Sequence, residues 1–281
     1  LKWLVLIEVK LNFLWNKLKV NRYQLSHDLK KFKFLKKIIG SIGYKLIDKK
    51  SAKTERVIDN FSVKIETILQ TLINKKKVNK IIQVGANDGK SDDFLFKCFN
   101  KDLDAILIEP IKDAFLKLKE NYKQFQKVKC LNLAVDVENG SKEIFSVNRE
   151  YYKFYQKKFK KDNVDWLNVL SSFNKKHLIN HGIKKNHITS DSIQCKTFSK
   201  LIDDYNYYDV DLLIIDTEGY DVKLINNFLD NLEIKPMIIF EWIHAEKNEI
   251  ELLSKRLGKL NYEFIKLGRD LICFQKGYIF S

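Results

Sequence analysis

From residue 80 onward, short apolar runs alternate with amphipathic stretches. Ile81–Val84, Ala105–Glu109, Val128–Val135, Asp211–Asp216 and Met237–Ile243 read as strands. Between them, Asp92–Phe99, Ile111–Phe125, Tyr220–Leu229 and Glu246–Leu257 carry helical periodicity. Leu212, Leu213, Ile214 and Ile215 are apolar in a row, as expected for a strand buried on both faces. Tyr262–Leu267 and Leu271–Gln275 read as a terminal hairpin turned at Gly268. This alternation predicts an α/β fold with a doubly wound, mostly parallel seven-stranded sheet. The interval from Lys142 to Ser199 fits no simple strand–helix unit and is expected to be an insertion, either shaping a substrate pocket or forming a surface excursion.

Before residue 80 the pattern is helical. Trp3, Leu4, Ile7, Leu11, Leu14, Trp15 and Leu18 share one helical face, and Lys2, Lys10, Asn16, Lys17 and Lys19 lie off it. Eleven of the apolar residues in 1–20 would favour membrane insertion by roughly 3–7 kcal/mol, but Glu8 and Lys10 oppose it by ~5–7 kcal/mol, so a span is not expected. Two alternatives stay open for this helix: peripheral contact of residues 1–40 with an anionic membrane, or packing on its own domain or a second subunit. Residues 25–39 and 57–74 repeat the helical period. No alanine precedes Ala52, which argues against a secretory cleavage site, and a cytoplasmic location is expected. The domain expectation is a helical extension over 1–79 and an α/β domain over 80–281.

Charge sharpens this division. The 281 residues include 51 Lys+Arg and 36 Asp+Glu, a net of +15. Residues 1–80 hold 20 basic and 6 acidic residues; the remainder holds 31 and 30, which is nearly neutral. Only Arg22, Arg56, Arg149, Arg256 and Arg269 carry the bidentate fork that specific phosphate or base recognition favours, so no nucleic-acid partner is expected. Cys98, Cys130, Cys195 and Cys273 lie far apart without metal-site spacing, and read as buried thiols.

The candidate chemistry begins at the first strand. Gly85 and Gly89 flank a turn between a strand and a helix, where glycine tolerates positive φ and lets a ligand approach the backbone. Twenty residues after Gly89, the second strand ends in Glu109-Pro110, and an acid there can bind both hydroxyls of a ribose. A nicotinamide dinucleotide calls for G-x-G-x-x-G around its pyrophosphate. Here the spacing is G-x-x-x-G, with Asn87 in place of the second glycine. S-adenosylmethionine has no pyrophosphate, and its amino-acid end can be bound by Asn and Asp side chains.

Val84–Gly89, Ile108-Glu109-Pro110, Thr197–Leu201 and Val210–Asp221 resemble, in order and spacing, the FkbM family of S-adenosylmethionine-dependent methyltransferases. The likeness spans roughly residues 80–243, and its most specific parts are the GAN-x-G turn and the D-x-E-G block. The resemblance implies S-adenosyl-L-methionine as cofactor and O-methylation of a hydroxyl on a small-molecule, sugar or glycan acceptor. The chain departs from the family pattern at Gln83, usually Asp, Ile214, often Lys, Ser199, often Asp, and Asp221, often Glu. In the expected roles, Gly85 and Gly89 shape the cofactor turn, Asn87 and Asp88 face the methionine part, Glu109 holds the ribose and Asp136 lies near the adenine.

On the acceptor side, Asp216 and Glu218 follow the fully apolar strand, where charge is costly unless solvated or used. They are expected to bind or activate the acceptor hydroxyl, with helix capping as the alternative for Glu218. His244, just past the fifth strand, is the expected proton acceptor. Ser171, Ser172 and Tyr220 are placed at the substrate mouth. Asp216 and Glu218 offer two oxygens without a third ligand, so no metal is expected. Rival readings are a cofactor-binding homologue without activity, on account of Gln83 and Ile214, and an NAD-dependent oxidoreductase, which the glycine spacing disfavours.

Overall fold

The computed structural model describes residues 64–277 except 92, 162, 163 and 165. The expected helices over 1–20 and 25–39, the proposed membrane contact of 1–40 and residues 57–63 of the expected 57–74 helix lie outside the described residues. Residues from Leu69 on form one compact unit.

A first helix, α1, covers Ile65–Asn74. Strand β1 is Lys80–Val84, followed by the short helix α2, Phe94–Cys98. Asp93 caps α2 by accepting from the backbone N–H groups of Leu95 and Phe96 at 2.6 and 3.2 Å. Strand β2 is Asp104–Ile108, helix α3 is Lys112–Tyr122 and strand β3 is Val128–Leu131. The run expected as one strand over Val128–Val135 is broken. At Asn132 the side-chain amide donates to the carbonyls of Glu109 and Pro110, both at 2.9 Å. This turns the chain, so that β4, Ala134–Val135, joins a different sheet.

The insertion is a long hairpin rather than a loop. Strands β5, Gly140–Val147, and β6, Ile188–Lys196, pair antiparallel from Gly140 opposite Cys195 to Val147 opposite Ile188. With β4 they make a three-stranded sheet in the order β4-β6-β5. Helices α4, Tyr152–Phe159, α5, Trp166–Val169, and α6, Lys175–Asn180, lie between the two long strands. Val147, Tyr155, Leu167, Leu170, Leu178 and Ile183 give this insertion a small core of its own. His187 belongs to that framework: its ring stacks on Tyr151 at 3.6 Å, and its Nδ1 lies 2.9 Å from the Tyr155 hydroxyl.

The main sheet resumes after helix α7, Phe198–Tyr205, which Thr197 caps. Strand β7 is Leu212–Ile215, helix α8 is Asp221–Asn231, strand β8 is Met237–Glu241 and helix α9 is Lys247–Lys259. Strands β9, Tyr262–Leu267, and β10, Asp270–Gln275, form the closing hairpin. Seven strands run in the order β3-β2-β1-β7-β8-β10-β9, and β10 alone runs opposite to the other six. The α/β fold and the mostly parallel seven-stranded sheet agree with the sequence pattern.

Period 2 assigns the two faces of this sheet. Ile82 and Val84, Ile106 and Ile108, Leu213 and Ile215, and Ile238 and Phe240 pack with apolar residues of α7, α8 and α9. Alternate positions such as Ile81, Leu107, Leu212 and Ile239 are also buried, on the opposite face, where Gln83 meets the cap of α2. The central strands, buried on both faces, are almost wholly apolar between their ends, and the carboxyl-terminal rim is where the site lies. Strand order reverses at β1: the chain proceeds to β2 on one side and returns to β7 on the other. That switch point opens a crevice at the carboxyl ends of β1, β2 and β7.

Candidate active site

The turn after β1 is held open by two glycines. Gly85 has φ +79°, and a Cβ there would lie 1.8 Å from the Asp216 carbonyl oxygen. Gly89 has φ +67°, and a Cβ there would strike Leu118 and Tyr122 of α3. Asn87 between them is itself left-handed, at φ +48°. The backbone N–H groups of Gly85 and Ala86 both donate to the Ile108 carbonyl at 3.0 Å, tying the turn to the end of β2.

Glu109 sits where β2 ends and is buried. The Asn87 N–H donates to its Oε2 and the Ile111 N–H to its Oε1, each at 2.8 Å. Burial pushes the Glu109 carboxyl up to about 7, although these two amides pull the other way. Each oxygen retains a lone pair, so the carboxylate is clamped in place yet still able to accept from a ligand hydroxyl. Gln83 is also buried; its amide donates to Asp93 at 3.0 Å, and its Oε1 has no partner.

The Asp88 carboxylate turns into its own loop. It accepts from the N–H groups of Lys90 and Ser91 at 2.9 and 2.8 Å and from the Ser91 hydroxyl at 2.6 Å. Asp136 is fully buried just after β4 and pairs with Lys142. It accepts from the Tyr220 hydroxyl at 2.8 Å and the Val137 N–H at 2.7 Å. Burial raises its carboxyl, but bonds from Lys142, Tyr220 and Val137 outweigh that and hold it below its ordinary value. Asp136 thereby links the insertion, through Lys142, to Tyr220 at the start of α8. The Phe173 ring meets Tyr220 edge-on at 6.0 Å, bringing the Ser171–Phe173 segment towards the crevice. The Ser172 backbone bridges to Phe145, its hydroxyl accepts from the Asn174 N–H, and the buried Ser171 hydroxyl has no partner.

The loop after β7 is pinned by Asp221, the first residue of α8. Its Oδ2 accepts from the Thr217 hydroxyl at 3.1 Å and the Gly219 N–H at 3.2 Å. Burial pushes this carboxyl up to about 6. Pinned on both sides, Glu218 takes φ +51°, left-handed backbone that a non-glycine residue adopts at a cost and that clusters at functional sites. Asp216 is open to water yet crowded by protein. That crowding, then the negative charges of Asp221, Glu218, Glu241 and Asp270, pushes it up to about 8.

Glu218 Oε2 lies 3.1 Å from His244 Nε2, and Glu241 Oε2 lies 3.0 Å from the same nitrogen. The opposite oxygen of Glu241 pairs with Arg269 Nε at 2.6 Å. Burial raises the Glu218 carboxyl; the charge of His244 opposes that and Glu241 adds to it. The expected neighbourhood of Glu218 and His244 is therefore present, joined to the glycine turn through Asp216, whose carbonyl abuts Gly85.

A family model for the methyltransferase FkbM domain matches residues 83–267. The chain belongs to the FkbM methyltransferase domain family. Comparison with curated proteins finds no match. Among solved structures, the chain is similar to methyltransferase FkbM from Methylobacillus flagellatus KT, with 12% identity and TM-score 0.42, over 70% of this chain and 44% of that one. The chain thus spans under half the length of that relative. It is also similar to human methyltransferase 10 domain containing protein (11% identity, TM-score 0.38, 82% of this chain and 85% of that one). A methyltransferase from Geobacter sulfurreducens matches at 10% identity and TM-score 0.39, over 84% and 95% of the two chains.

Within this FkbM domain, sequence reasoning passed over Glu241, Arg269 and Lys142. Glu241 ends a strand read as plain core, and Phe240-Glu241-Trp242 shows one charge in an apolar run. A charge at the last position of a buried strand was the available signal. Arg269 and Lys142 come from the closing hairpin and the insertion, and nothing local marks them.

Proposed function

We propose that the domain transfers a methyl group from S-adenosyl-L-methionine to a hydroxyl of a sugar, glycan or glycosylated metabolite. The observation that carries this reading is Glu109, a buried carboxylate clamped by the Asn87 and Ile111 amides at 2.8 Å, at the strand end facing the switch point. Such a group suits the two hydroxyls of a ribose. Two further features fit the same ligand. The partnerless Gln83 Oε1 suits an ammonium donor, and the Gly85–Gly89 turn leaves backbone free of side chains. Bound there, S-adenosyl-L-methionine supplies a methyl group on a positively charged sulfur.

The protein's own part is positioning and charge. Glu218, Glu241 and Asp270 gather acidic groups on the acceptor side of the crevice around the Glu218–His244 contact, beside an Asp216 that is largely protonated at neutral pH. An acceptor hydroxyl received between those two side chains is oriented by Glu218 and helped to lose its proton by the group at His244. Tyr220 and the Ser171–Phe173 segment border the same space, so the insertion supplies acceptor contacts.

Calorimetry with S-adenosyl-L-methionine and with NAD tests the cofactor: binding of the first alone is expected, and binding of NAD alone overturns the reading. His244→Ala should slow methyl transfer at least about a hundredfold while leaving cofactor affinity within about twofold. Unchanged transfer in that variant overturns the acceptor-side assignment.

A further inference from the structure

We propose that Glu218, Glu241 and His244 bind a divalent first-row transition-metal ion, with Mn²⁺ as its type, on the acceptor side of the crevice. What the ion does there rests on the methyltransferase reading; that it binds does not. With an ion bound, His244 Nε2 is a ligand rather than a proton acceptor, and the acceptor hydroxyl would be acidified by binding to the ion instead.

The three ligand atoms, one from each side chain, all lie within 4.8 Å of one another. His244 Nε2 is 3.1 Å from Glu218 Oε2 and 3.0 Å from Glu241 Oε2. Ligands about 2.1 Å from an octahedral ion and at right angles are separated by about 3.0 Å, so both measured edges match a shared ion. One imidazole and two carboxylates form a mixed nitrogen–oxygen set, which suits Mn²⁺, Fe²⁺ or Zn²⁺ better than Ca²⁺.

Glu241 independently points to a cation. Only 9% of the residue is exposed, and Arg269 satisfies its Oε1. Its Oε2 is buried, receives no hydrogen bond and is aimed at the other two ligands. A carboxylate oxygen so placed is costly unless a cation meets it. The surroundings add to this: Asp270, raised only to about 6, lends negative charge, opposed locally by Arg269. Arg269 holds the outer oxygen of Glu241, as a group behind a metal ligand does.

The frame is also rigid. Glu241 closes β8 and sits in register opposite Asp270 of β10. Glu218 is fixed by the loop that Asp221 pins. Three protein ligands leave about three octahedral positions open. Two of these suit an acceptor hydroxyl and an adjacent oxygen, which selects acceptors with neighbouring hydroxyls such as a sugar diol.

The full-length protein, stripped with chelator and dialysed, is titrated with Mn²⁺, with free ion followed by electron paramagnetic resonance. One Mn²⁺ per chain is expected, bound at least about tenfold more weakly by Glu241→Gln and by His244→Ala. Asp204→Asn, at a surface ion pair, serves as control and should bind as the parent does. Mn²⁺ should also raise the melting temperature of the parent and not of the two variants. If Glu241→Gln does not fold, Glu218→Gln takes its place. Absence of saturable binding, or equal affinity in parent and variants, overturns the site. Parallel calorimetry with S-adenosyl-L-methionine separates the two readings. Cofactor binding without Mn²⁺ binding removes the metal site and keeps the methyltransferase; Mn²⁺ binding without cofactor binding does the reverse.

Discussion

Replacing Glu109 by alanine removes the acceptor of two partly buried amides and, on the proposed reading, the ribose contact. The stability effect is a contest of two terms. Leaving the Asn87 and Ile111 N–H groups unpaired costs about 1–3 kcal/mol each. Against this, a carboxyl raised from 4.5 to about 7 by burial penalises the folded state at neutral pH by about 3 kcal/mol, which the variant escapes. The terms nearly offset, so Glu109→Ala should fold. Binding is different, because charged hydrogen bonds to the ribose are worth about 1.5–3 kcal/mol each with nothing to offset them. Affinity for S-adenosyl-L-methionine should fall at least about tenfold by calorimetry. The pH dependence gives a second reading of the same group. Its folded-state value is raised, so the cost of ionising it is absent below about 4.5 and complete above about 7; the unliganded protein loses stability as pH rises through that window. Ribose hydroxyls favour the ionised form, so cofactor affinity of the parent relative to Glu109→Gln should grow from pH 6 to pH 8. An unchanged dissociation constant in folded Glu109→Ala, or a parent-to-Gln ratio flat across that range, refutes the assignment.

Two further outcomes are expected. Gly85→Ala would place a Cβ 1.8 Å from the Asp216 carbonyl at φ +79°, so the backbone must move. It should lose at least about 2 kcal/mol in denaturant unfolding and most cofactor binding, and parent-like stability would contradict the packing of this turn. For the N-terminal region, of which residues 1–63 lie outside the described residues, we propose contact with anionic membranes rather than packing on the domain or a second subunit, on the charge of residues 1–80 and the helical spacing of Trp3, Leu11 and Trp15 in the sequence. Co-sedimentation with vesicles should rise with anionic lipid, fall with salt and disappear on Trp3→Ser with Trp15→Ser; sedimentation unaffected by these changes would exclude the contact. Among the described residues no helix is long and apolar enough to cross a membrane.

Much of the fold was legible because its cause is local. Strands buried on both faces must be apolar throughout, so Leu212–Ile215 and Met237–Phe240 stand out in sequence and are wholly buried. The glycine turn and Glu109 were legible for a similar reason: close approach of backbones demands glycine, and the strand end fixes where the acid lies. The break at Asn132 was not legible, because two amide bonds to Glu109 and Pro110, more than twenty residues away, make it. The hairpin Gly140–Val147 with Ile188–Lys196 was not legible because most of its residues are exposed or only partly buried, so its apolar alternation is weak.

The sequence by itself therefore determined the sheet, its rim, the glycine turn and the position of Glu109, since each depends on burial or on glycine at a fixed place. Only the tertiary structure decided where the remaining acids point and which of them meet. Asp88 reads as a ligand-facing acid, yet its oxygens are taken by Lys90 and Ser91. Asp136 and Tyr220, 84 residues apart, meet because the small sheet folds against the loop after β7. Glu218 and Asp216 looked like two oxygens lacking a third partner. Parallel pairing of β7 with β8 brings the carboxyl ends of both strands to one rim, and that brings Glu241 and His244 to Glu218.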